Sequence, residues 1–213
     1  MTMISPIDEI TEQNLEDSRR ANLRADQLDF YIIVCTLSVL AIIFSVFFRV
    51  PILIPTPWIT AIVYVYMAPI FLYAISALVR PWLAAAICLP CLILGEILWS
   101  MVYGSAGELL LNVIMALNVR GIGCLLISIF RERGPVLAML LGGVWGFVGY
   151  LVPATVYYTV MLSWSGFYMI AYSVLSTLVG LILIPAALLV FYVIQNRFKI
   201  RDLEVLLHME NAA

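Results

Sequence analysis

Between Gly134 and Asn196 the sequence contains not one Asp, Glu, Lys or Arg. A water-facing helix or strand needs polar side chains along its outer face, so a charge-free run of this length requires hydrocarbon as its solvent. The rest of the chain shares the bias. Over 213 residues, 64% are hydrophobic and 11% are charged, where an ordinary soluble domain carries about a quarter charged. A compact body of this size still leaves much of its surface outside, and there is too little polar material here to cover it. The sequence-level expectation is one all-α, polytopic membrane protein: a bundle of six transmembrane helices with cytoplasmic N- and C-termini.

The domain organisation follows from the punctuation. Residues 1–29 read as a polar cytoplasmic segment containing a short surface helix; they lack the apolar core and small-residue cleavage site of a processed leader. Residues 30–196 read as the six-helix transmembrane domain, and 197–213 as a cytoplasmic tail. Phe30–Phe48 is an uncharged stretch of 19 residues, about 28 Å as a helix and enough to cross the hydrocarbon. Arg49 and the prolines 51, 55 and 57 end it. Each proline ring fixes its own backbone and biases its neighbour away from helix, so an ordered, extended loop is expected there. The further spans are predicted at Trp58–Val79, Trp82–Tyr103, Glu108–Phe130, Val136–Leu162 and Phe167–Ile194.

Orientation follows from the basic residues. With the N-terminus inside, nine of the 11 Lys and Arg lie on the cytoplasmic side: Arg19, Arg20, Arg24, Arg80, Arg131, Arg133, Arg197, Lys199 and Arg201. Only Arg49 is outside, and Arg120 lies within a helix. This asymmetry obeys the positive-inside rule and favours an even number of spans.

Against this background a few residues stand out. Glu96, in ILGEILW, sits about 10 Å below Tyr103 along the third span. A carboxyl group at that depth costs several kcal/mol unless it faces protein, water or a ligand. Trp99 and Tyr103 share its helical face, so a carboxylate beside two rings can hold a cationic or hydrogen-bonding ring compound. The competing reading is an internal pair that ties two helices together. Glu108 and Asn112, one turn apart, lie at the outer start of the fourth span; a carboxylate there also suits a helix N-terminus without any function. Arg120 lies about 18 Å further down, where it can pair with an acid, snorkel to the interface or meet a partner subunit. Ala41 with Ser45, and Gly142 with Gly146, make small-xxx-small steps suited to close helix approach. Tyr157 belongs to an aromatic group around the outer fifth–sixth connection, where an interfacial belt is the simpler explanation.

Cys88 and Cys91 have CxxC spacing but no second pair follows, and His208 stands by itself in the tail, so no metal site is expected. There is no GxxxxGK[ST] loop, HExxH, GxSxG or dinucleotide fingerprint; the chain is not expected to be an enzyme or to hydrolyse ATP itself. Its basic residues form no nucleic-acid surface, and no cofactor is expected to be intrinsic.

The size, six predicted spans, orientation and segment character across residues 30–200 resemble the substrate-binding S component of energy-coupling factor (ECF) vitamin transporters. The stretch from Tyr66 through Arg80-Pro81, Glu96, Gly104-Ser105-Ala106-Gly107 and the fourth span looks most like the thiamine-related branch. Members of this family carry an AxxxA-type step in the first helix; here Ala41–Ser45 is its nearest match. The resemblance implies vitamin uptake in a prokaryotic cell membrane, with a small vitamin or precursor bound near the external side. It further implies a transmembrane coupling subunit and two cytoplasmic ATPase subunits as partners, with ATP hydrolysis toppling the S component to release cargo inward. On that reading Glu96, Trp99 and Tyr103 form the pocket, with Glu108, Asn112 and Tyr157 beside it. The alternatives are a self-sufficient small-molecule transporter or channel, which needs a continuous polar route, and a lipid-modifying membrane enzyme, which needs clustered activating partners. A structural scaffold is the third.

Overall fold

The computed structural model describes residues 6–55, 60–104, 107, 109–162 and 166–198, with side chains described over 27–49, 66–104, 107, 109–149, 151, 174, 177–178 and 180–197. Its elements in chain order are α1 (Pro6–Phe47), β1 (Arg49–Pro55), β2 (Thr60–Tyr66), α2 (Pro69–Leu78), α3 (Pro81–Tyr103) and α4 (Leu109–Ala116). A π-helical turn (Leu117–Gly121) joins α4 to α5 (Ile122–Phe130), and a 3-10 turn (Arg131–Arg133) leads into α6 (Pro135–Leu162) and α7 (Gly166–Phe198). Among the described residues, four stretches are helical, long and apolar enough to cross a membrane: Gln27–Phe47, Pro81–Tyr103, Leu109–Arg133 and Gly180–Arg197. Pro69–Leu78 and Pro135–Gly149 are shorter apolar helices. The chain is therefore mainly helical, with the composition of a membrane protein.

Its contacts divide it into two units, Met1–Cys35 with Val193–Ala213, and Thr36–Tyr192. In the first, α1 runs without a break across residues 29 and 30, so the N-terminal segment is not set off by a separate surface helix. Phe30 and Val34 of that unit are buried, and the Phe30 and Tyr31 rings meet edge to face at 5.9 Å.

The second unit corrects the predicted span Trp58–Val79. Instead of one long helix, its first part is a strand. β1 and β2 form an antiparallel hairpin in the register Arg49↔Tyr66 through Pro55↔Thr60, and the ladder continues into Met67 N–H donating to the Phe48 carbonyl (3.4 Å). The reason is composition. TAIVYVY is dense in β-branched and aromatic residues, which fit a pleated ribbon, while an unbroken apolar run has no period to distinguish strand from buried helix. Pro51 and Pro55 have no N–H to offer, and a two-stranded ribbon, being all edge, tolerates them. What remains helical is α2, 10 residues and about 15 Å long, half the thickness of the hydrocarbon.

Apolar side chains hold this unit together. Phe44 stacks on Phe48 (4.3 Å) and meets Phe71 edge to face (4.9 Å), packing the end of α1 on α2. Leu72, Tyr73, Ala74 and Ile75 of α2 are buried. The last carbonyls of α2, which have no partner within their helix, are met from the end of α5: Ser128 Oγ donates to the Val79 carbonyl and Arg131 Nη1 to that of Leu78 (3.5 Å). The Arg80 and Arg131–Arg133 turns consequently lie at one end of the unit. At the opposite end α3 stops at Gly104, whose φ of +71° is open to glycine without strain.

Helices approach most closely at glycine. A β-carbon on Gly142 of α6 would lie 2.5 Å from Ile127 Cγ1 and 2.7 Å from the Gly123 carbonyl of α5. Gly146, the other half of that small-residue step, is looser, 3.7 Å from Val119 by the same measure. Ser45 of α1 lies against Gly95 of α3, where an added β-carbon would sit 2.5 Å from its hydroxyl. Ala41 and Ser45 are both buried within this unit.

Candidate functional site

α1 ends at Phe47, and two residues later Arg49 opens β1. Its position lets the side chain fold back: Nε donates to the Ser45 carbonyl, one of the orphan acceptors at the end of α1. Across the hairpin, Tyr66 is its register partner, and Arg49 Nη1 donates to the Tyr66 hydroxyl at 2.9 Å. The remaining terminal nitrogen, Nη2, donates to Glu96 Oε2 at 2.9 Å. Arg49 thus spends its whole fork on a helix end, a strand and α3.

Glu96 is 1% exposed. It lies on the face of α3 that also carries Trp99 one turn on, and the Arg49 guanidinium carbon is 4.2 Å from the Trp99 ring centre and 4.1 Å from that of Tyr66. Arg120 approaches from the π-helical turn. Its Nη1 is 3.8 Å from Glu96 Oε1, an ion pair but too long for a hydrogen bond, and its guanidinium carbon is 3.5 Å from the centre of the Tyr66 ring. One carboxylate therefore stands between two guanidinium groups, and one tyrosine ring lies against both.

The π-helical turn has its own support. Widening the helix by one residue disturbs the regular hydrogen-bond ladder, and Trp145 of α6 donates its indole N–H to the Asn118 carbonyl at 2.8 Å. Gly149 lets α6 come this near: a β-carbon there would stand 2.9 Å from the same carbonyl oxygen. The turn that carries Arg120 is held from outside its own helix.

The charges do not balance. Two guanidinium groups face one carboxylate, and among the described residues no other acid pairs with either arginine. Arg120 Nη1 is buried without a hydrogen-bond partner, as is Ser45 Oγ.

The site residues expected from sequence separate into groups. Glu96, Trp99 and Arg120 come together. Glu96, expected to face a ligand, has both carboxylate oxygens directed at arginines, in the manner of the internal pair. Tyr103 lies tilted against Trp99 with ring centres 5.5 Å apart but is itself exposed. Asn112 is half-buried on α4. Glu108 and the side chain of Tyr157 lie outside the described residues. Ala41, Ser45 and Gly142 serve packing within the chain, and Gly146 sits more loosely. Buried Ser45 leaves the Ala41–Ser45 step turned inward, so that step offers no open face to a coupling subunit.

Two members were missed. The sequence pattern places Arg49 in an external loop and Tyr66 within a span. One signal existed for Arg49: it is the single basic residue on the wrong side of the positive-inside pattern, directly after an uncharged span. Its pairing with Glu96 depends on the hairpin, which the pattern did not reveal.

Compared with known proteins, the chain matches no family model, no curated protein and no solved structure.

Proposed function

We propose that this chain is the membrane-embedded substrate-binding subunit of an uptake system for a small vitamin or vitamin precursor, energised by separate ATPase subunits. The observation that carries the reading is the Arg49–Glu96–Arg120 cluster, in which Arg49 and Glu96 are almost wholly enclosed and the half-buried rings of Tyr66 and Trp99 lie alongside. Ionised side chains at such depth are costly to desolvate and mark ligand or ion sites more often than scaffolding. The rings supply the flat, polarisable walls that small heterocyclic ligands need. Absence of a P-loop from the sequence fits a binding subunit whose energy comes from partners. In this arrangement both termini are cytoplasmic, with Arg80 and Arg131–Arg133 on the same side, in a prokaryotic cell membrane.

Purification of the native membrane complex tests this. Recovery of a transmembrane coupling protein and two ATPases with the chain is the expected result. Full transport by the purified chain alone, in vesicles free of ATP, would replace the proposal with that of a self-sufficient transporter.

A further inference from the structure

We infer that the ligand of this site carries a compact anionic group, a carboxylate or its equivalent, and that Arg120 receives it. The inference rests on the binding-subunit reading above and names its substrate class.

Charge counting comes first. Arg49, Glu96 and Arg120 sum to one positive charge among the described residues, in a setting that screens charge poorly. A buried charge is stable only when paired and hydrogen-bonded. Each nitrogen of Arg49 has a partner, with Ser45, Tyr66 and Glu96 taking Nε, Nη1 and Nη2. Arg120 differs: its closest carboxylate oxygen is 3.8 Å away, and Nη1 has no hydrogen-bond partner. The spare positive charge and the unused donor belong to the same side chain.

Exposure singles out the same residue. The side chains of Arg49 and Glu96 are 3% and 2% exposed, whereas Arg120 keeps 15%. Arg120 is therefore the least enclosed of the three, with its unused Nη1 on the buried side. Glu96 is the wrong partner for a cation here, since both its oxygens already face guanidinium groups. A carboxylate on Arg120 would complete an alternating row, guanidinium–carboxylate–guanidinium–carboxylate, and bring the count to zero. Planar forked donors favour flat, two-oxygen acceptors.

Two sources can supply such an anion: a soluble organic acid, or the headgroup of an anionic lipid. Benzoate and benzamidinium, matched in ring and opposite in charge, make suitable probes. Equilibrium dialysis and thermal unfolding are run on the full chain in phosphatidylcholine nanodiscs. Benzoate should bind saturably and raise the unfolding temperature, and benzamidinium should do neither. Arg120→Gln should weaken benzoate binding at least tenfold, and Arg120→Lys should fall between. Benzoate binding should be unchanged when phosphatidylglycerol is mixed into the disc.

Equal binding of both probes overturns the inference, as does benzoate binding unaltered in Arg120→Gln. Stabilisation by phosphatidylglycerol with no response to benzoate overturns the assignment to a soluble ligand. The probe comparison on the unsubstituted chain stands even if Arg120→Gln fails to fold. These measurements need no partner subunit, so a failed copurification of ATPases removes the transport reading and leaves this result intact.

Discussion

Arg49 and Glu96, 47 positions apart in sequence, meet at 2.9 Å with both side chains almost wholly buried. The pair closes the β1–β2 hairpin onto α3. Its stabilising value is not simply Coulombic, because removing two charges from water costs several kcal/mol per ion before their attraction offsets it. What the pair provides is uniqueness of placement. Arg49 satisfies a helix end, a strand and α3 at once, and no other register of the hairpin sets Tyr66 opposite it. The large penalty appears when one partner is lost and the other is left buried by itself.

The two glycines of the α6 step should respond differently. Gly142→Ala pushes a methyl group into the Gly123 carbonyl and Ile127, and should destabilise by about 1–3 kcal/mol. Gly146→Ala meets Val119 at ordinary van der Waals distance and should stay within about 0.5 kcal/mol of the parent. Denaturant unfolding in matched lipid or detergent compares them; equal costs would refute the described α5–α6 packing.

Trp145→Phe removes the indole N–H from the Asn118 carbonyl while keeping a ring in place. The acceptor left without its donor should cost about 1–3 kcal/mol. Because that carbonyl belongs to the turn bearing Arg120, hydrogen exchange should also quicken selectively over Leu117–Gly121. A stability loss without this local change would separate Trp145 from the turn.

Sidedness is testable by thiol labelling in intact cells. With exposed Cys35 replaced by alanine, a cysteine at Gly107 should react with a membrane-impermeant maleimide from outside. One at exposed Glu132 should react only after permeabilisation. The reverse pattern would invert the orientation.

How much of this was legible beforehand differs from element to element. The apolar stretches of α1, α3 and α4–α5 could be read from length and scarcity of charge, since the bilayer sets one thickness for all of them. Glu96 was legible as an anomaly for the same reason. The hairpin was not, because β2 and α2 form one unpunctuated apolar run in which strand and helix leave no contrasting period. Losing the hairpin meant losing Arg49 and Tyr66 as neighbours of Glu96, and so reading the carboxylate as open to a cation. The π-helical turn was equally hidden: LNVRG carries no local signal of a wider turn, and the tryptophan that meets its Asn118 carbonyl lies 27 residues away. Ser45 showed its size in the sequence but not its direction, which depends on Gly95 opposite.

A double-mutant cycle on Arg49 and Glu96, read by denaturant unfolding of the full chain in nanodiscs, tests the buried cluster most directly. Glu96→Gln leaves two buried guanidinium groups without their carboxylate and should destabilise by about 3–5 kcal/mol. Arg49→Gln leaves Glu96 to Arg120 at 3.8 Å and should cost less, about 1–3 kcal/mol, for the hydrogen bonds it removes. The double variant returns the cluster to its original net charge, and its loss should fall short of the sum by about 1–3 kcal/mol. Single losses near zero, or losses that add without coupling, would contradict the pairing on which the site is built.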